Sequence, residues 1–398
     1  MKIIHTSDWH LGQTFYGYER KEEHQVFLAW LLRKLSDEAA DVLLIAGDVF
    51  DSPNPSAESQ SMYYRFLRRA AAENPLLTII VTAGNHDSAA RLEAPSPLLE
   101  EMRVHTRGIV QRNSGGEINL DRLIIPLQKD GETKAWCLAV PYLRQGDYPP
   151  SVNYSEGVAK LYRALLDAVP DPKLPVIAMG HLHATGAELS VDDQSERTII
   201  GGLESVSQEA FPSEITYVAL GHLHRAQRVS GRDNVRYAGA PVPMSFAERN
   251  NRQGVNVVEI GEVEGVGRLE FDPPARLISL PRDPGPLQSV IDELAALPDG
   301  DITAFSPYVE VKVKITEPEP SLRFRIEEAL KGKAVRLAGI KAELPPKEKS
   351  AGEASFDDIK KIEPLEVALD VYRRKYGGSE MPQAMKDLLL IAIREAQQ

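Results

Sequence analysis

Val42-Leu43-Leu44-Ile45-Ala46 runs straight into Gly47-Asp48-Val49-Phe50-Asp51, so five apolar residues stop at a glycine and a carboxylate. A run this short and this uniformly apolar reads as a strand buried on both faces of a parallel sheet. The acid at its carboxyl end then sits on the sheet edge where ligands collect. Runs of the same kind flank it: Lys2 to His5, Leu76 to Thr82, Ala135 to Val140, Val176 to Met179 and Thr216 to Leu220, ending in charged or histidine-bearing loops. Between the early runs lie helix-period segments, Glu22 to Ala39 with Leu28, Leu31, Leu32 and Leu35 apolar, and Ser56 to Ala72 with Tyr63, Phe66 and Leu67 apolar. The alternation predicts an α/β fold, a β-sandwich flanked by helices. From Val235 to Leu280 the apolar period shortens to two, as in Val255-Asn256-Val257-Val258-Glu259-Ile260, which predicts a closing antiparallel sheet.

The 398 residues allow two or three domains, and 42% hydrophobic content supports a buried core. Lys plus Arg total 46 against 58 Asp plus Glu, a net charge of −12, which excludes a chain held to nucleic acid by bulk positive charge. Contact with DNA must then be local or shared with a partner. Cys137 is the sole cysteine, so metal binding falls to His, Asp and Asn, and a reducing cytoplasm is the expected location. Neither a signal-type apolar segment nor a run of about 18 apolar residues is present, so no membrane span is expected. The Pro/Gly cluster Leu280-Pro281-Arg282-Asp283-Pro284-Gly285-Pro286 reads as a linker after a first domain, 1–280. A small α+β domain, 281–345, follows, with helices at Leu287 to Leu297 and Ser321 to Leu330 and strands at Tyr308 to Ile315 and Ala334 to Lys341. Residues 346–353 read as a flexible linker, and 354–398 as a partner-binding pair of amphipathic helices, Leu365 to Tyr376 and Pro382 to Ala396.

The chemistry concentrates in five segments: Asp8-Trp9-His10, Gly47-Asp48, Gly84-Asn85-His86-Asp87, Gly180-His181 and Gly221-His222-Leu223-His224. All stand at the ends of expected strands, where residues far apart in sequence can meet. Two cations about 3.5–4 Å apart need a ligand that touches both, and a carboxylate does this where an imidazole cannot. Asp48 is the natural bridge. Asp8, His10 and one histidine of the last pair remain for the first ion, and Asn85, His181 and the other histidine for the second. Oxygen and nitrogen donors without thiolate suit Mn, Fe, Zn or Co.

Together these segments resemble the calcineurin-like metallophosphoesterase superfamily, whose pattern is D-x-H, G-D, G-N-H-D/E, G-H and G-H-x-H. Thr6-Ser7-Asp8-Trp9-His10-Leu11-Gly12, Gly47 to Asp51, Leu220 to His224, Tyr237-Ala238-Gly239-Ala240-Pro241 and Ser245-Phe246 resemble more narrowly the bacterial SbcD family of nuclease subunits, across about residues 1–280. The resemblance implies metal ligands at Asp8, His10, Asp48, Asn85, His181, His222 and His224, a catalytic His86 beside the scissile phosphate, two divalent ions, most simply Mn2+, and cleavage of DNA ends. It also implies a partner, an SbcC-type ABC ATPase with a long coiled coil, and a homodimer of this chain within a heterotetramer. Asp51 stands where other branches often carry histidine, and His183 reads as a bystander. Asp87 is placed to orient His86 or to stabilise its turn. For DNA contacts, Arg65, Arg68 and Arg69 share a predicted helix, and Arg91, Arg103, Arg107 and Arg112 follow the Asn-His segment. Residues 323–349 carry eight Lys/Arg against four Glu, a local reversal of charge that fits a module touching the DNA backbone. A stand-alone phosphoesterase acting on small monoesters or cyclic nucleotides is the alternative. The residues beyond the expected linker favour the nuclease.

Overall fold

The structure, a computed structural model, describes residues 1–187, 205–261, 265–317 and 319–343, together with 369, 372, 373, 381–383, 385, 386 and 388. Among the described residues, two six-stranded sheets dominate. The first runs in the order β14 (Gly265–Glu270), β13 (Gly254–Glu259), β1 (Lys2–Thr6), β4 (Val42–Ala46), β5 (Thr78–Thr82), β6 (Val104–Arg107). β1, β4, β5 and β6 are parallel, and β13 and β14 close the edge antiparallel, as the change of apolar period predicts. The second runs β11 (Gln227–Val229), β12 (Arg232–Tyr237), β10 (Tyr217–Gly221), β9 (Val176–His181), β8 (Glu132–Ala139), β7 (Ile124–Lys129), with β8, β9, β10 and β12 parallel. A two-stranded hairpin, β2 (Thr14–Phe15) and β3 (Tyr18–Glu19), lies between β1 and the first helix.

Because side chains alternate along a strand, each central strand feeds two cores. Val42, Leu44 and Ala46 of β4 meet Cys137 and Ala139 of β8 and Ile177 and Met179 of β9 between the sheets. Leu43 and Ile45 face the other way, onto α1 (Lys21–Asp37) and α2 (Ala57–Glu73), where Phe27, Leu31, Leu35, Tyr63 and Phe66 cover them. Behind the second sheet, Leu138, Ala178 and Val218 pack against Val158, Leu161 and Leu165 of α5 (Tyr154–Asp167). Short turns α3 (Ala89–Glu93) and α4 (Ser96–Leu99) precede β6. Caps fix where the helices begin: the Ser56 hydroxyl accepts the Ser59 N–H, and the Asn153 amide oxygen accepts that of Glu156.

The Pro/Gly stretch expected to be a linker is instead the body of a strand. β15 (Leu277–Pro286) pairs in parallel with β16 (Tyr308–Lys314), which pairs in parallel with β17 (Arg336–Glu343), while α6 (Leu287–Ala295) and α7 (Leu322–Ala329) make the crossovers. β15 tolerates its prolines because it is an edge strand, and its register shifts between Leu280 and Gly285. Residues 1–343 form one compact unit. A buried ionic cluster secures the module to the sandwich. Tyr308 donates to Glu23 at 2.7 Å, Arg20 pairs with Glu23 at 2.7 Å, and the Arg336 guanidinium stacks 3.6 Å above the Tyr308 ring. Residues 344–398 form a second unit, in which Leu369, Tyr372, Arg373, Gln383, Met385, Lys386 and Leu388 are helical. The linker 346–353 and most of the two C-terminal helices lie outside the described residues.

Tyr308→Phe removes a hydrogen bond to a buried carboxylate, and it should lower unfolding free energy by about 1.5–3 kcal/mol. Denaturant melts of the full chain measure this, and a change under about 0.5 kcal/mol would contradict a clamping role for the cluster.

Candidate metal centre

Five strands end at one place. Asp8 and His10 follow β1, Asp48 follows β4, Asn85 and His86 follow β5, His181 closes β9, and His222 and His224 follow β10. Trp9 is fully buried among Phe27, Tyr63 and Phe66, and this anchor leaves Asp8 and His10 on either side of it turned to the site. The first two loops are laced by backbone bonds, Asp8 N–H to Gly47 C=O at 3.1 Å and His10 N–H to Asp48 C=O at 3.0 Å. Asp8, His10, Asp48 and His222 all take positive φ, a conformation that costs non-glycine residues energy and marks functional sites. Gly47 also takes positive φ, and a Cβ there would lie 2.1 Å from His181 Nδ1, while one at Gly84 would lie 2.1 Å from Asp48 Oδ1. The glycines before the ligands are therefore required by close approach.

The donors fall into two clusters with Asp48 between them. Ligand-capable atoms of Asp8, His10 and His224 lie within 4.8 Å of one another. Asn85 Oδ1 lies 3.0 Å from His181 Nε2 and 3.1 Å from His222 Nδ1. Asp48 Oδ1 accepts the His86 N–H at 2.8 Å, while Oδ2 faces His10 Nε2 at 3.7 Å and His181 Nε2 at 3.3 Å. This geometry groups His224 with Asp8 and His10, and His222 with Asn85 and His181. His183 belongs to none of the ligand groups among the described residues.

The cluster asks for positive charge. Burial pushes Asp48 up, but His181 and His10 outweigh it and hold the carboxyl below its usual range. Burial likewise opposes a proton on His181, yet Asp48 and then Asp8 raise its pKa to about 9. Burial, and then the neighbouring His181, drive His222 down to about 3. His10 is buried with neither ring nitrogen in a hydrogen bond among the described residues, its Nδ1 facing the Asp51 carboxylate at 3.3 Å and its Nε2 that of Asp48 at 3.7 Å. An imidazole left so and a carboxylate between two histidines fit divalent cations. His181 Nδ1 faces the Ala46 carbonyl at 2.9 Å, an acceptor only, so Nδ1 carries the proton and Nε2 is turned to the site as a donor of its lone pair.

Three residues support the site. Of the two roles open to Asp87, holding its turn is the one its bonds serve: its carboxylate accepts the N–H groups of Gly84, Val49 and Phe50 at 2.9, 3.2 and 3.0 Å and so also ties the β5 loop to the β4 loop. The His86 ring is held by the Asp51 carbonyl, 3.0 Å from Nδ1. Glu248, which no sequence motif marks, is buried; its Oε1 lies 3.3 Å from His224 Nδ1, and its Oε2 accepts the Met244 N–H at 2.9 Å. A Glu so far from any histidine pair in sequence carries no local signal.

The arginines expected to touch DNA are mostly engaged elsewhere. Arg107 is buried and bonded to the Arg122 and Thr106 carbonyls, which removes it as a phosphate contact. Arg91 donates to Asn54 and Pro53, Arg103 to Gln128, and Arg112 to the Gly116 and Gly146 carbonyls. Arg65 and Arg68 are exposed on α2, where Arg69 pairs with Glu73. In the small module, Arg323, Lys331, Lys333 and Lys341 pair with Glu327, Glu328, Asp299 and Glu310, so Asp299 and Glu310 from outside the stretch offset part of its positive surplus.

A model of the calcineurin-like phosphoesterase family matches residues 1–226. A second, described as the type 5 capsule protein repressor C-terminal domain, matches residues 273–376. The SbcD component of the SbcCD nuclease of Rhodobacter capsulatus is 39% identical over 355 residues, 85% of this chain and 87% of that protein. The proteins of the same name from Escherichia coli K12 and Bacillus subtilis are 35% and 34% identical, over 68% and 65% of this chain and 68% and 66% of theirs.

Two substitutions test the centre without any assay of turnover. Asp48→Asn should drop metal content below two ions per chain by elemental analysis. Glu248→Ala should weaken the ion near His224 by about 10- to 100-fold in calorimetric titration, the usual cost of losing a group that holds a ligand histidine. Mn2+ binding as tight as in the parent would contradict the support assigned to Glu248.

Proposed function

We propose, on the premise that the chain belongs to the calcineurin-like phosphoesterase family and, within it, to the SbcD components of SbcCD nucleases, that it is the Mn2+-dependent nuclease subunit of an SbcCD-type complex. It cuts DNA as a double-strand exonuclease and a single-strand and hairpin endonuclease, in the processing of ends for repair and recombination. The observation that carries this reading is Asp48 Oδ2 between His10 and His181, with His86 anchored on the same carboxylate's other oxygen.

Asp8, His10 and His224 would hold one ion, Asn85, His181 and His222 the other, and Asp48 both. Bound there, the two ions supply Lewis acidity toward phosphoryl oxygens and lower the pKa of water, so the nucleophile is solvent-derived. The chain's own residues do the rest. Because the Asp51 carbonyl can only accept, it holds the Nδ1 proton of His86, and a second proton carried on Nε2 is the one passed to the leaving sugar oxygen, which returns the ring to its neutral form. Asp87 keeps that ring in place indirectly, by fastening the two loops that carry Asp48 and His86.

The partner is an ABC-type ATPase with a long coiled coil, and two copies of this chain join it in a heterotetramer. In the two helices expected from the sequence, Leu365, Leu369, Tyr372, Leu388, Leu389 and Ile393 would supply more apolar surface than such a pair buries between its members, which supports 354–398 as the anchor on the coiled-coil base.

Three outcomes follow. With Mn2+, assayed both with and without the ATPase and ATP, labelled hairpin and duplex DNA should be cleaved under at least one of these conditions; rapid turnover of a chromogenic monoester with no DNA cleavage under any of them would favour a small-molecule phosphatase. His86→Ala should keep both ions and DNA binding while losing about 10²- to 10⁴-fold in turnover. Loss of metal instead would make His86 a ligand. Deleting 354–398 should abolish co-purification with the ATPase and leave cleavage of single-stranded DNA.

A further inference from the structure

Tyr142-Leu143-Arg144 leaves the end of β8 beside the metal centre and has no part in the chemistry above. Tyr142 N–H donates to the Ala83 carbonyl at 2.8 Å, which ties this segment to the loop that carries Asn85 and His86. The half-buried Tyr142 ring meets the His181 ring edge-on, with centroids 6.2 Å apart. The Arg144 guanidinium lies over the tyrosine, 5.3 Å from its centroid. Asp147 accepts the Arg144 backbone N–H at 2.7 Å, and its own N–H returns to the Arg144 carbonyl at 3.0 Å, so the turn is closed on itself.

The arginine side chain itself is exposed and, among the described residues, has neither a carboxylate nor a hydrogen-bond partner. That sets it apart from its neighbours Arg91 and Arg112, whose guanidiniums are bonded within the chain. An exposed guanidinium stacked on an aromatic ring keeps a planar fork of donors pre-oriented, and a phosphate matches that fork in charge and shape. The aromatic ring beneath it offers the flat apolar surface on which a nucleotide sugar or base packs.

We propose that Tyr142 and Arg144 form a nucleotide subsite at the rim of the metal centre, where Arg144 grips a phosphate next to the scissile one and Tyr142 packs against the attached nucleoside. This rests on the nuclease reading and extends it, since the sequence offered other arginines for the task. The pair belongs to the strand being cut, because it abuts His181 and the Asn85 loop.

The test compares two substrates in the full chain with Mn2+: single-stranded or hairpin DNA, and bis(p-nitrophenyl) phosphate, a diester too short to span rim and centre. Arg144→Ala should lower the ratio of DNA to small-diester kcat/KM about tenfold, through KM, and reduce the slope of log Kd against log salt by about one. Arg144→Lys should restore part of the loss by charge alone, and Tyr142→Ala should lower the same ratio where Tyr142→Phe does not. An unchanged ratio and salt slope in Arg144→Ala overturns the proposal, as does an equal fall on both substrates or a loss of metal, either of which would mark a structural effect. If the parent chain turns over the small diester but neither binds nor cuts DNA, the nuclease reading fails, and the subsite fails with it.

Discussion

A buried carboxylate between two imidazoles sets the terms for the rest of the molecule. Asp48 Oδ2 faces His10 and His181 from a position closed to solvent, with Asp8 alongside. Burying such a group costs several kcal/mol unless opposite charge answers it, and the neighbourhood answers by raising the affinity of His181 for a proton. A divalent cation answers the same demand more completely. The strained backbone at Asp8, His10, Asp48 and His222 persists because the surrounding loops over-determine it: backbone bonds join the β1 and β4 loops, and Asp87 joins the β4 and β5 loops.

Because the donors come from both sheets, the centre depends on the spacing between them. Small residues where the sheets meet, Ala46, Ala139 and Ala219, let the strand ends approach. A buried polar bridge crosses the same gap: His5 on β1 meets the Tyr217 hydroxyl on β10 at 2.9 Å, and Asn256 on β13 meets that hydroxyl at 3.4 Å and Arg268 at 2.9 Å. The small module reaches the centre by another route. Arg20, in the Glu23–Tyr308 cluster, holds the Pro243 carbonyl at 2.6 Å, and Phe246 packs with Phe15 and Tyr308. Two residues beyond Phe246, the same segment carries Glu248, which faces the His224 ring. Packing of the module is thereby linked to one residue of the donor cluster, His224.

The sandwich was legible, and the candidate donors stood out, because each follows a short apolar run, Asp48, Asn85, His181 and His222 directly through a glycine, a pattern local enough to read along the chain. What was hidden depends on three-dimensional adjacency. Pro281, Pro284 and Pro286 signal a break, yet an edge strand accepts residues that cannot donate to a ladder, so the linker is a strand. Arg107 stands within reach of the Asn-His segment in sequence, but β6 turns it inward to backbone carbonyls. Asp87 had two roles open along the chain, and the fold shows it holding its own turn and, beyond that, the neighbouring loop. Arg144 and Glu248 lie in segments without a motif, and only the fold places them near His181 and His224.

The central claim is a pair of ions that share Asp48, and electron paramagnetic resonance of the Mn2+-loaded chain tests it directly. Two Mn2+ ions about 3.5–4 Å apart on one bridging ligand are exchange-coupled, so the spectrum should grow in as a coupled multiline signal that saturates at two ions per chain. An isolated six-line signal that saturates at one ion, or two ions without coupling, would contradict it.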